Sequence, residues 1–106
     1  NIHTIACFAY ENNNEFKDLT IRDFCPALGV NETPASGTTC GALSGYLLKN
    51  NIIKPESQSL IIDQGYEIGR QSTIIVDIKI SNYSINNLKV GGSAVPSYSG
   101  NIKLFK

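Results

Sequence analysis

Between Ser72 and Ser81 apolar and polar side chains alternate, with Ile74, Val76, Ile78 and Ile80 in one set of positions and Asp77 and Lys79 in the other. A two-residue period is that of a strand with one dry and one wet face. The same period over Leu19 to Phe24 places Leu19, Ile21 and Asp23 on one side and Thr20, Arg22 and Phe24 on the other. Cys25-Pro26 closes that strand, because proline cannot donate to a ladder. Residues 2–10, IHTIACFAY, are β-branched and aromatic without alternation, and predict a strand buried on much of both faces. Ser59 to Asp63 predicts a short apolar strand, and Leu88 to Val90 starts another that meets a bulge or bend at Gly91-Gly92. Ala94 to Tyr98 and Ile102 to Phe105 predict a hairpin around Ser99-Gly100-Asn101. Polar stretches connect these elements: a loop at Glu11 to Lys17, a brief turn between Gln64-Gly65 and Gly69-Arg70, and a turn over Asn82 to Asn87.

One segment departs from the strand period. From Asn31 to Leu48, NETPASGTTCGALSGYLL, proline and a Ser-Gly-Thr-Thr elbow lead into residues that are apolar or small all round. Serine and threonine cap helix starts, so a helix is expected from about Thr38, ending near Asn50-Asn51. A helix without a polar face is one surrounded by protein. Gly41 and Gly45 lie four apart, a spacing that lets another backbone approach closely. The first turn of such a helix carries unpaired amides and a partial positive charge, a site suited to a carboxylate or phosphate, and Gly37 leaves the approach open. Ser36, Thr38 and Thr39 also read as plain capping and turn residues, the commoner role for these residue types at a helix start. The spacing alone does not separate the two roles.

Several antiparallel strands with one enclosed helix make an α+β domain in which an antiparallel sheet curls around a buried central helix. A chain of 106 residues holds one such core. Nine acidic and nine basic residues cancel without clustering, which removes the electrostatic footprint of a nucleic-acid partner or a polybasic membrane contact. No apolar run approaches the roughly 20 residues that cross a bilayer. Cys7, Cys25 and Cys40 match neither a disulfide framework nor zinc-ligand spacing, so a reducing, cytoplasmic setting is expected and no metal. His3, the single histidine, sits at a strand start without companion ligands. The sequence has no methionine and begins with Asn1, from which we expect a piece of a longer polypeptide.

Three ordered motifs carry a family resemblance. RDFCPALGVNETPASGTTCGAL resembles the stretch of the phenazine-biosynthesis isomerase family (PhzF-like), a branch of the diaminopimelate epimerase fold, in which Arg-x-Phe-x-Pro leads through Gly-x-x-Glu-Asp-Pro-x-Thr-Gly-Ser into a buried helix. DQGYEIGRQS resembles that family's Glu-Gln-Gly...Gly-Arg-Pro-Ser turn. LKVGGSAVPSYSGNI resembles its closing Val-x-Gly-Gly-x-Ala-Val segment. The resemblance runs from about Arg22 to the end of the chain.

It implies two similar domains with the active site between them, residues 1–106 being part of the second, and the acid/base glutamate lying in the absent first domain. It implies a proton-shift isomerase of a small carboxylic acid, without metal or organic cofactor, in which Ser36, Gly37, Thr38 and Thr39 hold the substrate carboxylate. A homodimer, or assembly with the missing domain or a second copy, is expected. The chain departs from the pattern at Thr33, where the isomerases have aspartate. A threonine hydroxyl titrates too high to act as a base near neutral pH. Ser36 stands where the epimerases have a catalytic cysteine, and a serine does not replace a thiolate, so two-cysteine chemistry is rejected. Cys40 lies inside the helix and is read as packed, Glu32 as support for the elbow, and Arg70 as a turn residue or an anion contact. The alternative is a non-catalytic binder of small acids, or an inert fragment that assembles with another chain.

Overall fold

A computed structural model describes residues 2–10 and 17–105. The six strands are β1 (Ile5–Tyr10), β2 (Leu19–Cys25), β3 (Val30–Thr33), β4 (Gln58–Gln64), β5 (Ser72–Ser81) and β6 (Ser84–Gly92), with one helix, α1 (Gly37–Lys49), between β3 and β4. They form one sheet in the order β1-β2-β4-β5-β6, with β3 on the far end of β2. The sheet is mixed rather than antiparallel: β2 and β4 run parallel, Leu19 beside Ile62 and Ile21 beside Gln64. The reason is topological, since the path from β2 to β4 passes through α1 and a helical crossover returns the chain in the same direction. The architecture is α+β.

Inward-facing side chains follow the two-residue period. Leu19, Ile21, Leu60, Ile62, Ile74, Val76 and Ile78 form the sheet's side of the core, and Cys40, Leu43 and Leu47 the helix's side. The helix buries Cys40, Leu43, Ser44 and Leu47, while Ala42 and Tyr46 on its other side are exposed. Gly45 has open space where a side chain would stand, and the atoms nearest Gly41 belong to the Leu88 and Val90 side chains of β6. No backbone therefore approaches at either glycine among the described residues, against the sequence expectation.

Other differences are local. β1 is exposed along nearly its whole length, not buried on both faces. The turn before β6 takes only Asn82 and Tyr83, both at positive φ (51° and 60°), and β6 starts at Ser84. Left-handed angles at two central residues match the twist of a tight hairpin, so Ser81 pairs with Ser84 directly. The irregularity in that hairpin falls between Lys79 and Ile80, and Gly91 and Gly92 pair regularly with Ile75 and Ile74. Residues 93–105 form no hairpin and lie exposed. Most of the Glu11 to Lys17 loop lies outside the described residues. Among the described residues no helix is long and apolar enough to cross a membrane.

Candidate functional site at the mouth of the helix

Because β2 and β4 are parallel, their C-terminal ends lie at the same end of the sheet, and there the inward rows change character. Leu19 and Ile21 are followed by Asp23, and Leu60 and Ile62 by Gln64, all inward and all nearly inaccessible. The helix starts at this end. Burying an amide or a carboxylate is costly unless each is given partners. Gln64 has them: its Oε1 accepts from the Ser36 amide (3.0 Å) and its Nε2 donates to the Thr33 carbonyl (2.7 Å). One side chain thus pins both ends of the Thr33–Ser36 elbow to β4. The close approach continues at Gly65, at φ +84°, where an added Cβ would come within 2.7 Å of the Pro34 carbonyl oxygen. Only glycine accepts both that angle and that neighbour.

The helix starts at Gly37 with Ser36 as its N-cap in extended conformation. The Thr39 amide donates to Ser36 Oγ (3.3 Å) and the Cys40 amide to the Ser36 carbonyl (3.1 Å). Ser36 Oγ donates to Thr39 Oγ1 (2.8 Å), and Thr39 Oγ1 donates to Asp23 Oδ2 (2.8 Å). Thr38 Oγ1 lies 3.3 Å from Ser36 Oγ. Among the described residues the Gly37 and Thr38 amides make no hydrogen bond, and both residues are exposed. The first turn holds no acidic residue. Of the residues expected to bind a carboxylate, Ser36, Gly37, Thr38 and Thr39 thus sit together at one helix end, with two free donors. Thr33 is a short elbow away, its carbonyl engaged by Gln64.

Asp23 is the residue that sequence reasoning placed correctly and left without a role. It is 3 % exposed, and its Oδ1 has no partner among the described residues. Leaving a buried polar atom unpaired costs about 1 to 3 kcal/mol, more for a charged one. The signal was available in the sequence: an acid in the inward row of a strand otherwise lined by leucine and isoleucine. Behind the mouth, Cys40 is fully buried; burial, and secondarily the charge of Asp23, push its thiol up to about 11. A thiol so held is not a nucleophile near neutral pH. Cys7 is exposed and Cys25 buried, and all three are free.

On the opposite face of β2, Arg22 makes a two-pronged pair with Glu32 (Nε to Oε1 3.0 Å, Nη2 to Oε2 2.8 Å) and lies 4.8 Å above the Phe24 ring. Hydrogen bonding from Arg22 holds the Glu32 carboxyl below the ordinary 4.5, against the opposing effect of desolvation. The pair ties β2 to β3 and so supports the elbow, the role expected of Glu32. The Arg70 amide donates to the Gly65 carbonyl (2.9 Å), closing the turn. Among the described residues no three His, Cys, Asp or Glu side chains gather as metal ligands would.

The chain is similar to known proteins. An uncharacterized isomerase of Schizosaccharomyces pombe is 36% identical over 102 residues, covering 94% of this chain and 54% of that protein. An uncharacterized isomerase of Clostridium acetobutylicum is 30% identical over 106 residues, covering 92% of this chain and 33% of the relative. The chain therefore spans about half the length of the first and a third of the second. A crystal structure of a Bacillus anthracis phenazine biosynthesis protein of the PhzF family superposes with a TM-score of 0.64 at 24% identity, covering 82% of this chain and 29% of that one. At that identity the likeness establishes the fold. Residues 2–100 match the model of the phenazine biosynthesis-like proteins, and with nearly the whole chain accounted for, the protein belongs to that family.

Proposed function

We propose that the protein is an isomerase of a small carboxylic acid, working by a proton shift next to the carboxylate. The observation that carries this reading is the helix mouth: the Gly37 and Thr38 amides are unpaired and exposed, the helix's own first-turn residues include no acid, and the Asp23 carboxylate reaches that turn from the inner side, through the Thr39 hydroxyl. Helix-end amides and the partial charge behind them stabilise an anion, and the Ser36 and Thr39 hydroxyls keep the first turn in place around it. Holding the carboxylate there polarises it and stabilises charge that develops when an adjacent C–H proton leaves. Relatives that bear the name isomerase support the reaction class. The proton is carried by a glutamate outside residues 1–106, in a first domain that faces the mouth across a cleft, and no cofactor takes part.

The test uses the full-length protein in deuterated water with a panel of cyclic and amino carboxylic acids. Exchange of a carbon-bound proton is expected for at least one acid and is to be lost when Gly37 is replaced by proline, which removes a donor. A panel without any exchange removes the proposal. Thr33 favours a second reading: with no titratable group there and its carbonyl occupied by Gln64, the protein binds the acid without turning it over. Saturable binding without exchange, and exchange gained by Thr33→Asp, distinguish that reading from the first.

A further inference from the structure

We infer that Asp23 is a positioning residue: it fixes the direction of the hydroxyl chain at the helix mouth, so that the site prefers carboxylic acids carrying an O–H or N–H donor beside the carboxylate. The inference rests on the carboxylate-binding reading of the mouth.

Its basis is a count of protons. A hydroxyl has one proton to give, and a carboxylate only accepts. Thr39 Oγ1 gives its proton to Asp23 Oδ2, so the proton between Ser36 and Thr39 has to come from Ser36 Oγ. With the Ser36 proton committed inward, the contact between Ser36 and Thr38 is one in which Thr38 donates. Thr38 is exposed, and its oxygen is left with lone pairs only. The chain runs one way, from Thr38 through Ser36 and Thr39 to Asp23. At its outer end stand two amide donors and one fixed acceptor. A carboxylate satisfies the donors, and a neighbouring hydroxyl or ammonium group on the same ligand satisfies the acceptor.

Packing does not account for Asp23. It continues an inward row of Leu19 and Ile21, is 3 % exposed, and keeps Oδ1 without a partner while Oδ2 reaches into the first turn of the helix. An apolar side chain would fill the row and leave nothing unpaired. What Asp23 supplies is the acceptor for Thr39 Oγ1, at the inner end of a chain that would otherwise run in either direction.

The experiment follows the Gly37 and Thr38 amide resonances of the isotope-labelled full-length protein during titration with propanoate and with 2-hydroxypropanoate. One added hydrogen bond corresponds to a preference of roughly fivefold for the hydroxy acid. Asp23→Val is expected to bring the two affinities to parity. Thr39→Val, which cuts the link while leaving Asp23, gives the same parity and serves where the Asp23 variant does not fold; Thr39→Ser, which keeps the hydroxyl, retains the preference. Equal affinities in the unaltered protein, or a preference surviving Thr39→Val, overturn the role of Asp23 and leave the carboxylate site standing. Amides that respond to neither acid overturn both.

Discussion

β1 and β5 are both rich in apolar side chains, yet β5 lies at the centre of the core and β1 has exposed residues along nearly all of its length. The difference is one of what stands opposite. β5 alternates, and its inward isoleucines and valine meet α1, which spans about 20 Å at 13 residues. The helix lies closest to β5 and β6, and β1 meets it at Phe8, whose ring faces Tyr46 edge-on at 6.1 Å, and the core at Tyr10. Apolar composition thus identifies a strand, whereas alternation identifies the face that is buried. A run without alternation states a capacity for burial and leaves the partner open.

The same substitution in the two strands breaks the comparison most directly. Ile78→Ala in β5, at 1 % exposure, is expected to cost about 2 to 5 kcal/mol of unfolding free energy, since it removes packed methyl groups and leaves a cavity. Ile5→Ala in β1, at 58 % exposure, is expected to cost about 1 kcal/mol or less, the scale of strand propensity alone. Urea denaturation of both variants measures the gap; equal losses would place β1 in a core of its own.

A smaller effect concerns the Arg22–Glu32 pair between the two regions. A carboxyl whose folded value lies below its unfolded one contributes stability above the unfolded value and loses it as pH falls through the folded one. Glu32 is held below 4.5, so its contribution is present near neutrality and fades below that value. Glu32→Gln is therefore expected to lower the urea midpoint near neutral pH, with the gap to the unaltered protein closing as the pH falls below 4.5. A gap that persists in acid would assign the loss to packing.

The least perturbing test is chemical. Iodoacetamide at about pH 8 should modify the native chain at Cys7 alone, because Cys25 and Cys40 are buried and the Cys40 thiol is raised to about 11. After unfolding, all three sites should react. Intact mass reads both states, and modification at Cys40 in the native protein would show that the helix leaves the sheet.

These contrasts also explain what the sequence made legible. β2 and β5 were readable because each sets apolar against polar positions, β4 because it is a short apolar run, and α1 because a capping elbow leads into a segment without charge. β3 was hidden: Val-Asn-Glu-Thr has no strand character of its own and is held by its pairing with β2 and by the hydrogen bonds from Arg22 to Glu32. The start of β6 was hidden for a related reason, since Ser-Ile-Asn-Asn lies on an exposed edge where polar residues cost nothing. At the site, the cap and elbow were legible from residue types. The anchoring by Gln64 and the bond from Thr39 to Asp23 were not, because they join residues distant in the chain and depend on the parallel register that brings two strand ends together.

That register also sets how the chain acquires its shape. The β5–β6 hairpin closes through two residues already in left-handed conformation, an event of about microseconds. The pairing of Leu19 with Ile62 has to wait until α1 and both flanking connections are gathered in. Contacts so remote in sequence slow folding, because loop-closure entropy is spent before they contribute. The helix mouth is assembled by this late pairing, so its polar groups come together only once the centre of the sheet is complete.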